Sequence, residues 1–102
     1  MLTISIEAEK EQTVTVPLAG QQCIIRLVQR DSGLYMDLTV NDVPLILGVP
    51  CWYGGRMVRY SYLGFQGDLV FLDTQGQEDP SWDGLGTRFL LFYLEESEIV
   101  SD

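Results

Sequence analysis

The fold is decided by residues 21–47, QQCIIRLVQRDSGLYMDLTVNDVPLIL, in which apolar and polar side chains alternate. Alternation with a period of two is typical of β-strands that bury one face. The apolar positions are odd-numbered before Arg30-Asp31-Ser32-Gly33, even-numbered after it, and odd-numbered again after Asn41-Asp42. Both stretches consist mainly of residues that favour tight turns. The pattern therefore predicts three consecutive strands joined by two turns.

Hairpin geometry tests whether these strands share one buried face. Opposed residues of an antiparallel pair point to the same side of the sheet. A four-residue loop at Arg30-Asp31-Ser32-Gly33, a two-residue turn at Asn41-Asp42 and an earlier turn at Ala19-Gly20 all bring apolar residues together, which predicts a four-stranded meander. The predicted pairs are Val16–Cys23, Val14–Ile25, Leu27–Met36, Ile25–Leu38, Cys23–Val40, Val40–Val43, Leu38–Leu45 and Met36–Leu47.

The second half of the chain carries less regular signals. Gly48-Val49-Pro50 ends the meander, because a proline cannot donate a hydrogen bond to a sheet. Residues 68–72 and 89–94 are largely apolar runs that predict short strands, and residues 74–86 predict a loop. Residues 56–63 fit either one or two helical turns or a strand, and we favour the strand.

The run at residues 89–94 is apolar on both faces of a strand, whereas burial on one side produces alternation. A domain of 102 residues has difficulty covering both faces of a sheet by itself. The sequence therefore predicts an all-β fold, with a meander closing into a small sandwich or partly open barrel, or with one face covered by a neighbouring subunit. We expect at most one short helical turn. Residues 1–94 are predicted to form a single domain, followed by an acidic C-terminal tail at residues 95–102.

Composition limits the classes of function. Fifteen acidic residues against six basic ones give a formal charge of −9 at pH 7, which argues against nucleic-acid binding. We expect no membrane segment and no signal peptide, because no apolar run is long enough for either. Free, buried thiols are the expectation for Cys23 and Cys51, although the sequence does not say whether they meet. Cys51, beside Trp52, is expected to be the more exposed.

Residues able to perform catalysis are scarce. The chain has no histidine, which removes the usual general base and most zinc sites. The acidic loop, with Asp73, Glu78, Asp79 and Asp83, does not have the spacing of a calcium-binding loop. We therefore expect no enzyme activity, no catalytic residue, no metal site and no cofactor. The alternative left open is a carbohydrate- or cation-binding β module that uses Trp52, Trp82 and the acidic loop.

Two sets of residues are singled out for other roles. Arginine and large aromatic side chains are favoured at protein interfaces, and glycine, aspartate and proline at tight turns. The candidates for assembly contacts are Arg26, Trp52, Arg56, Arg59, Trp82, Arg88 and Phe92. The candidate turn and fold determinants are Gly64, Gly67, Asp73, Gly76, Pro80, Asp83, Gly84 and Gly86.

Several segments resemble small tail proteins of contractile phages and prophages. The longest is YLGFQGDLVFLDTQG at residues 62–76, followed by Asp79-Pro80 and by DGLGTR at residues 83–88. MDL at residues 36–38 and GVPC at residues 48–51 are similar to the same pattern. Together they extend over nearly the whole chain and resemble the cyanophage-type baseplate plug domain.

The resemblance implies a structural virion protein, made in the host cytoplasm and placed at the centre of the tail baseplate. It implies several symmetric copies near the junction of tail tube, hub and spike. The implied partners are therefore other copies of the chain and phage tail proteins. The resemblance transfers no catalytic residue, and it implies that the shared glycines and the Asp79-Pro80 turn determine the fold.

Overall fold

A computed structural model describes residues 2–58, 65–95 and 97 of the chain. Extended segments with alternating burial dominate these residues, as the sequence pattern predicts. The segment that includes Arg59 and Gly64, and all of the acidic tail except residues 95 and 97, lies outside the described residues. The strands are β1 (Leu2–Ile4), β2 (Glu11–Leu18), β3 (Gln21–Arg30), β4 (Gly33–Val40), β5 (Val43–Pro50), β6 (Asp68–Asp73) and β7 (Phe89–Leu94).

These strands form two sheets. The four-stranded sheet has the order β2-β3-β4-β5, and the three-stranded sheet has the order β1-β7-β6. All of the strand pairs in both sheets are antiparallel. Buried side chains from both sheets form a single hydrophobic cluster. The all-β prediction is confirmed, and the described strands form a sandwich of two sheets that do not close into a barrel.

The turns of the meander have the backbone conformations that their residues favour. Ala19 and Gly20 have φ angles of 51° and 75°, and Asn41 and Asp42 have φ angles of 50° and 68°. Two successive residues with positive φ are typical of the turn whose twist matches paired strands. The predicted four-residue loop has only two residues, because Arg30 pairs with Gly33 and only Asp31 and Ser32 remain between the strands.

The predicted pairing is confirmed between β2 and β3, between β3 and β4, and at the first pair of β4 with β5. Val16 lies opposite Cys23, and Leu27 lies opposite Met36. The remaining pairs confirmed are Val14–Ile25, Ile25–Leu38, Cys23–Val40 and Val40–Val43.

The rest of β5 departs from the prediction. Leu38 pairs with Ile46 instead of Leu45, and Met36 pairs with Val49 instead of Leu47. Two register shifts cause the difference, since each gives β5 one extra residue opposite β4. An odd shift moves side chains to the other face of a sheet. Ile46 is consequently buried, whereas Leu47 is exposed.

The core lies between the sheets. On β7, Phe89, Leu91 and Tyr93 are buried in it, and the intervening side chains are only partly covered. The run that is apolar on both faces therefore has one fully buried face and one half-buried face. The largest fully buried side chains are Phe71, Leu18, Ile25, Leu27, Leu34, Met36, Leu38, Leu69, Leu85, Leu91 and Cys23.

The connection between β6 and β7 is irregular, apart from a single 3-10 turn at Trp82–Gly84. This agrees with the predicted loop at residues 74–86 and with the expectation of at most one helical turn in the described part of the chain. Most of the predicted strand at residues 56–63 lies outside the described residues. Within the described part, Arg56 forms an isolated antiparallel bridge with Val70.

Both cysteines are free and buried. Cys51 is only 3% exposed, against 0% for Cys23, so the expected difference in exposure is very small and both residues belong to the core cluster. Burial raises the pKa of the Cys51 thiol to about 12, and it also raises the pKa of the Cys23 thiol. Neither group is therefore in its reactive thiolate form near neutral pH.

Candidate assembly surface

Four large apolar side chains are exposed on the described surface. They are Leu2 on β1, Val43 and Leu47 on β5, and Trp52 just after β5. Leu47 is 70% exposed, and Val43 and Trp52 are each 56% exposed. Three of the four therefore belong to one continuous stretch of chain, residues 43–52, along an edge of the four-stranded sheet. Exposed apolar groups of this size favour contact with another protein when they are grouped.

The bulge in β5 is held by a specific hydrogen bond. Gly48 has a φ angle of 63°, and its N–H donates to Asp37 Oδ1 over 2.6 Å. This contact lies at the first register shift, between the pairs Met36–Val49 and Leu38–Ile46. Because Gly48 turns the strand there, Leu47 projects away from the core. The exposed position of Leu47 is thus set by the fold of β5.

Arg26 lies on the outer face of the four-stranded sheet, as the alternation predicts. Its Nη2 is 3.1 Å from Glu11 Oε2 on β2, and its Nη1 is 3.4 Å from Asp37 Oδ2 on β4. These two carboxylates, with Glu11 the stronger influence, raise the pKa of the Arg26 guanidinium. Arg26 therefore links three neighbouring strands of its own chain, and its side chain remains partly open to solvent.

A shallow cleft of about 250 Å³ lies beside Trp52. Tyr35, Pro50, Trp52, Asp79 and Pro80 contribute to its walls. Asp79 connects the acidic loop to this region, because its Oδ1 accepts a hydrogen bond of 2.9 Å from the backbone N–H of Tyr53. The cleft is open and combines aromatic and proline surfaces with one carboxylate.

Arg88 is fixed at the opposite side of the acidic loop. Its Nε and Nη2 donate to the two carboxylate oxygens of Asp73 over 2.9 and 2.8 Å, and Nη2 also lies 3.0 Å from Glu78 Oε2. The guanidinium carbon is 4.9 Å from the centre of the Phe89 ring. A two-point contact of this kind fixes the orientation of both groups. Arg88 consequently serves the loop of its own chain.

The electrostatics of this pair follow from its geometry. The hydrogen bond from Arg88 holds the pKa of Asp73 well below its usual range, and backbone N–H groups of Gln75 and Glu78 lower it further. The same carboxylate raises the pKa of Arg88. The pair thus favours the ionised form of Asp73.

The other aromatic and arginine candidates have diverse positions. Trp82 is half-buried, and the centre of its ring lies 5.4 Å from Lys10 Nζ. Its backbone N–H donates a hydrogen bond of 3.1 Å to Gln29 Oε1. Phe92 is half-buried on the outer side of β7. Arg56 Nε is 4.0 Å from the buried Asp68 Oδ2. The structure therefore does not gather the predicted assembly residues into one patch, and Arg59 lies outside the described residues.

Two of the candidate turn glycines occupy positions that exclude a side chain. Gly67 has a φ angle of 102° and packs against Leu94 and Tyr93. Gly86 has a φ angle of 83°, and a Cβ atom there would meet the carbonyl oxygen of Ile6. Both glycines thus allow a distant part of the chain to approach the backbone closely.

The remaining turn candidates that the structure describes lie around the acidic loop. Gly76 is near Asp73, and Gly84 is covered by the ring of Phe89. Pro80 is buried, and Asp83 accepts a hydrogen bond of 2.7 Å from the Ser81 hydroxyl. Gly64 lies outside the described residues. The acidic loop is therefore stabilised by contacts within the chain.

The carboxylates of the acidic loop do not converge on one point. Among the residues that the structure describes, no three His, Cys, Asp or Glu side chains are grouped so that they could hold a metal ion. Within residues 2–58, 65–95 and 97, no helix has the length and apolar character needed to cross a bilayer. No contact among the described residues favours the cation- or carbohydrate-binding alternative.

Comparison with known families decides the relationship. A family model described as cyanophage baseplate Pam3 plug gp18 matches residues 1–96 of the 102 residues. The chain belongs to this baseplate plug family. The resemblance of residues 62–76 and 83–88 is therefore confirmed. A search of curated proteins found no match. Membership in the plug family supports a structural role in a phage baseplate and a location in the virion tail.

Sequence reasoning missed part of the surface that this plug-family chain exposes. Val43 and Leu47 are assigned to the core by alternation alone, yet both are exposed. The sequence of β5 does contain a signal, because Pro44, Gly48 and Pro50 occur within eight residues. Proline and glycine inside a strand are typical of edges and bulges. This signal indicates that β5 is an edge strand with a bulge, which is the feature that leaves Leu47 exposed.

Proposed function

We propose that the chain is a structural subunit at the centre of a contractile-tail baseplate, where it links tail tube, hub and spike. It acts without catalysis, in contact with other copies of itself and with tail proteins, after synthesis in the host cytoplasm. Residues 1–94 serve as one β domain, and the acidic residues 95–102 follow it. The observation that carries the proposal is the match of the plug family to residues 1–96.

The surface of the described residues supports an assembly role. Leu47 and Trp52 expose large apolar area on the edge formed by β5. The bulge at Gly48 holds Leu47 outward at a fixed position, so little conformational entropy is lost when a partner covers it. A net charge of −9 favours partners with basic surfaces. We propose residues 43–52 as the part of the chain that contacts the tail proteins.

Co-expression tests this role. The tagged chain is produced together with the tube, hub and spike proteins of the same phage, and co-purification is measured by mass spectrometry. We expect at least one of them to be retained. Replacing Leu47→Asp and Trp52→Ser together should reduce the retained amount about tenfold, the effect of removing two interface anchors. The matched control is Thr39→Asp with Gln22→Ser, which changes the central strands of the same sheet.

Two results would contradict the proposal. One is wild-type protein that retains no tail protein at all. The other is a phage particle that assembles a complete, contractile tail after the gene is deleted, as seen by electron microscopy. If the Leu47 and Trp52 variant retains tail proteins as well as the control does, residues 43–52 are the wrong surface, and the retention itself still supports the structural role.

A further inference from the structure

The two edges of the four-stranded sheet differ in how readily their backbone groups could pair with an additional strand. On β5, two bulges and the prolines at positions 44 and 50 interrupt the row of backbone donors. On β2, eight consecutive residues pair with β3 without a register shift. Within the described part of the chain, β2 pairs with β3 alone. The β2 edge is therefore regular where the β5 edge is protected.

The direction of the β2 backbone groups follows from the hydrogen bonds on either side of β3. The Gln29 N–H donates to the Lys10 carbonyl over 2.7 Å, just before β2 begins. On the other side of β3, the Asn41 N–H donates to the Gln22 carbonyl. In an antiparallel ladder such bonds recur at every second residue. The N–H and C=O groups of Thr13 and Thr15 therefore point away from β3.

The side chains of β2 suit an added strand. Residues 12–16 carry no charge and are rich in valine and threonine, which favour sheets. Val14 and Val16 pack against the core but are only partly buried. A further strand beside β2 would cover their remaining exposed surface and extend the sandwich. Charged or imino residues occur only toward the ends of the strand, at Glu11 and Pro17.

We propose that β2 pairs antiparallel with β2 of a second copy of this chain, about a two-fold axis at Val14. In that register Thr13 lies opposite Thr15 of the second copy, and Val14 lies opposite its own counterpart. Glu11 lies opposite Pro17 of the second copy, so no two like charges oppose each other. The strand is thus complementary to itself, as an interface with two-fold symmetry requires. This inference deepens the proposed assembly role by naming one self-contact.

Sedimentation velocity across protein concentrations up to about 1 mM tests the inference, since edge pairing alone gives a small interface. We expect reversible dimers of the wild-type chain. Replacing Thr13→Lys and Thr15→Lys together places lysines opposite each other twice across the axis. Like charges directly opposed across strands are unfavourable, and two such pairs should weaken dimerisation about tenfold. Gln22→Lys with Thr39→Lys adds the same charge to central strands and should leave dimerisation unchanged.

A second variant tests the register. Thr13→Glu with Thr15→Lys places opposite charges across the axis in the proposed pairing, so it should dimerise at least as well as the wild type. The inference is overturned if the wild type stays monomeric at every concentration, or if this variant loses dimerisation as the double-lysine variant does. Retention of tail proteins by a monomeric wild type would overturn the contact between copies through β2 and leave the proposed contact with tail proteins standing.

Discussion

The two sheets of the sandwich are built in different ways. The four-stranded sheet consists of consecutive strands joined by tight turns, and each strand pairs with its neighbour in the sequence. The three-stranded sheet combines β1 from the start of the chain with β6 and β7 from its second half. Local turns fix the register of the first sheet, whereas the second needs contacts between distant residues.

Those long-range contacts are specific. The Gln21 side chain joins the β2–β3 turn to residue 66, because it donates to the Gln66 carbonyl and accepts from the Gln66 N–H. Gly86 packs on the backbone of Ile6. Arg88 binds Asp73 across the ends of β6 and β7. The comparison teaches that turns and alternation are sufficient to pair β2, β3 and β4, whereas β5 departs from that rule and the three-stranded sheet depends on a few individual side chains.

The largest expected effect concerns β5, the strand of the four-stranded sheet in which simple alternation does not predict which side chains are buried. Ile46→Ala should lower the free energy of unfolding by about 2–4 kcal/mol, because a buried branched side chain is lost. Leu47→Ala should change it by less than about 0.5 kcal/mol, because Leu47 is 70% exposed. Urea denaturation followed by tryptophan fluorescence measures both. The opposite order of the two effects would show that β5 follows simple alternation.

The second test concerns the three-stranded sheet. Gly86→Ala forces a Cβ atom toward the Ile6 carbonyl oxygen at a φ angle of 83°. Strain of this kind costs about 1–3 kcal/mol, which the urea midpoint should show. Gly55→Ala is the matched control, since its nearest contacts would be an ordinary 3.8 Å from the new carbon. Equal effects at the two glycines would show that the backbones of residues 6 and 86 do not approach each other this closely.

Much of the fold could be predicted from the sequence because its information is local. The turns at Ala19-Gly20 and Asn41-Asp42 and the alternating strands between them determine the pairing of β2, β3 and β4. The second half lacks such alternation, since β6 and β7 are apolar on successive residues, and the connection between them is long. Pairing of β1 with β7 joins residues about 90 positions apart in the chain, beyond the reach of hairpin rules.

The candidate surface was less predictable for a related reason. Arg26 and Arg88 have the residue type favoured at interfaces, yet carboxylates of their own chain engage both in the described structure. Which acids lie beside an arginine depends on strand register and loop path. Trp52 is exposed, as a contact residue should be, but so is Leu47, whose exposure depends on the bulge at Gly48.

The smallest of the three effects tests the ion pair that joins β6 to the start of β7. Arg88→Met keeps an apolar stem over Phe89 but removes the partner of Asp73, so the urea midpoint at pH 7 should fall. Arg30→Met removes the same charge at the exposed end of β3 and should change it less. Arg88→Lys should recover only part of the loss, because lysine lacks the two-point geometry.

The pH dependence separates this ion pair from simple packing. The pKa of Asp73 is lower in the folded protein than in the unfolded chain, where it is about 4. The resulting stabilisation is therefore complete above about pH 4 and is lost as the pH falls further toward the folded-state pKa. The difference in urea midpoint between wild type and Arg88→Met should accordingly be constant from pH 7 to pH 5 and shrink between pH 4 and pH 2. A difference that is independent of pH would mean that Arg88 acts through its contact with Phe89, and the three-stranded sheet would then depend on packing as the four-stranded sheet does.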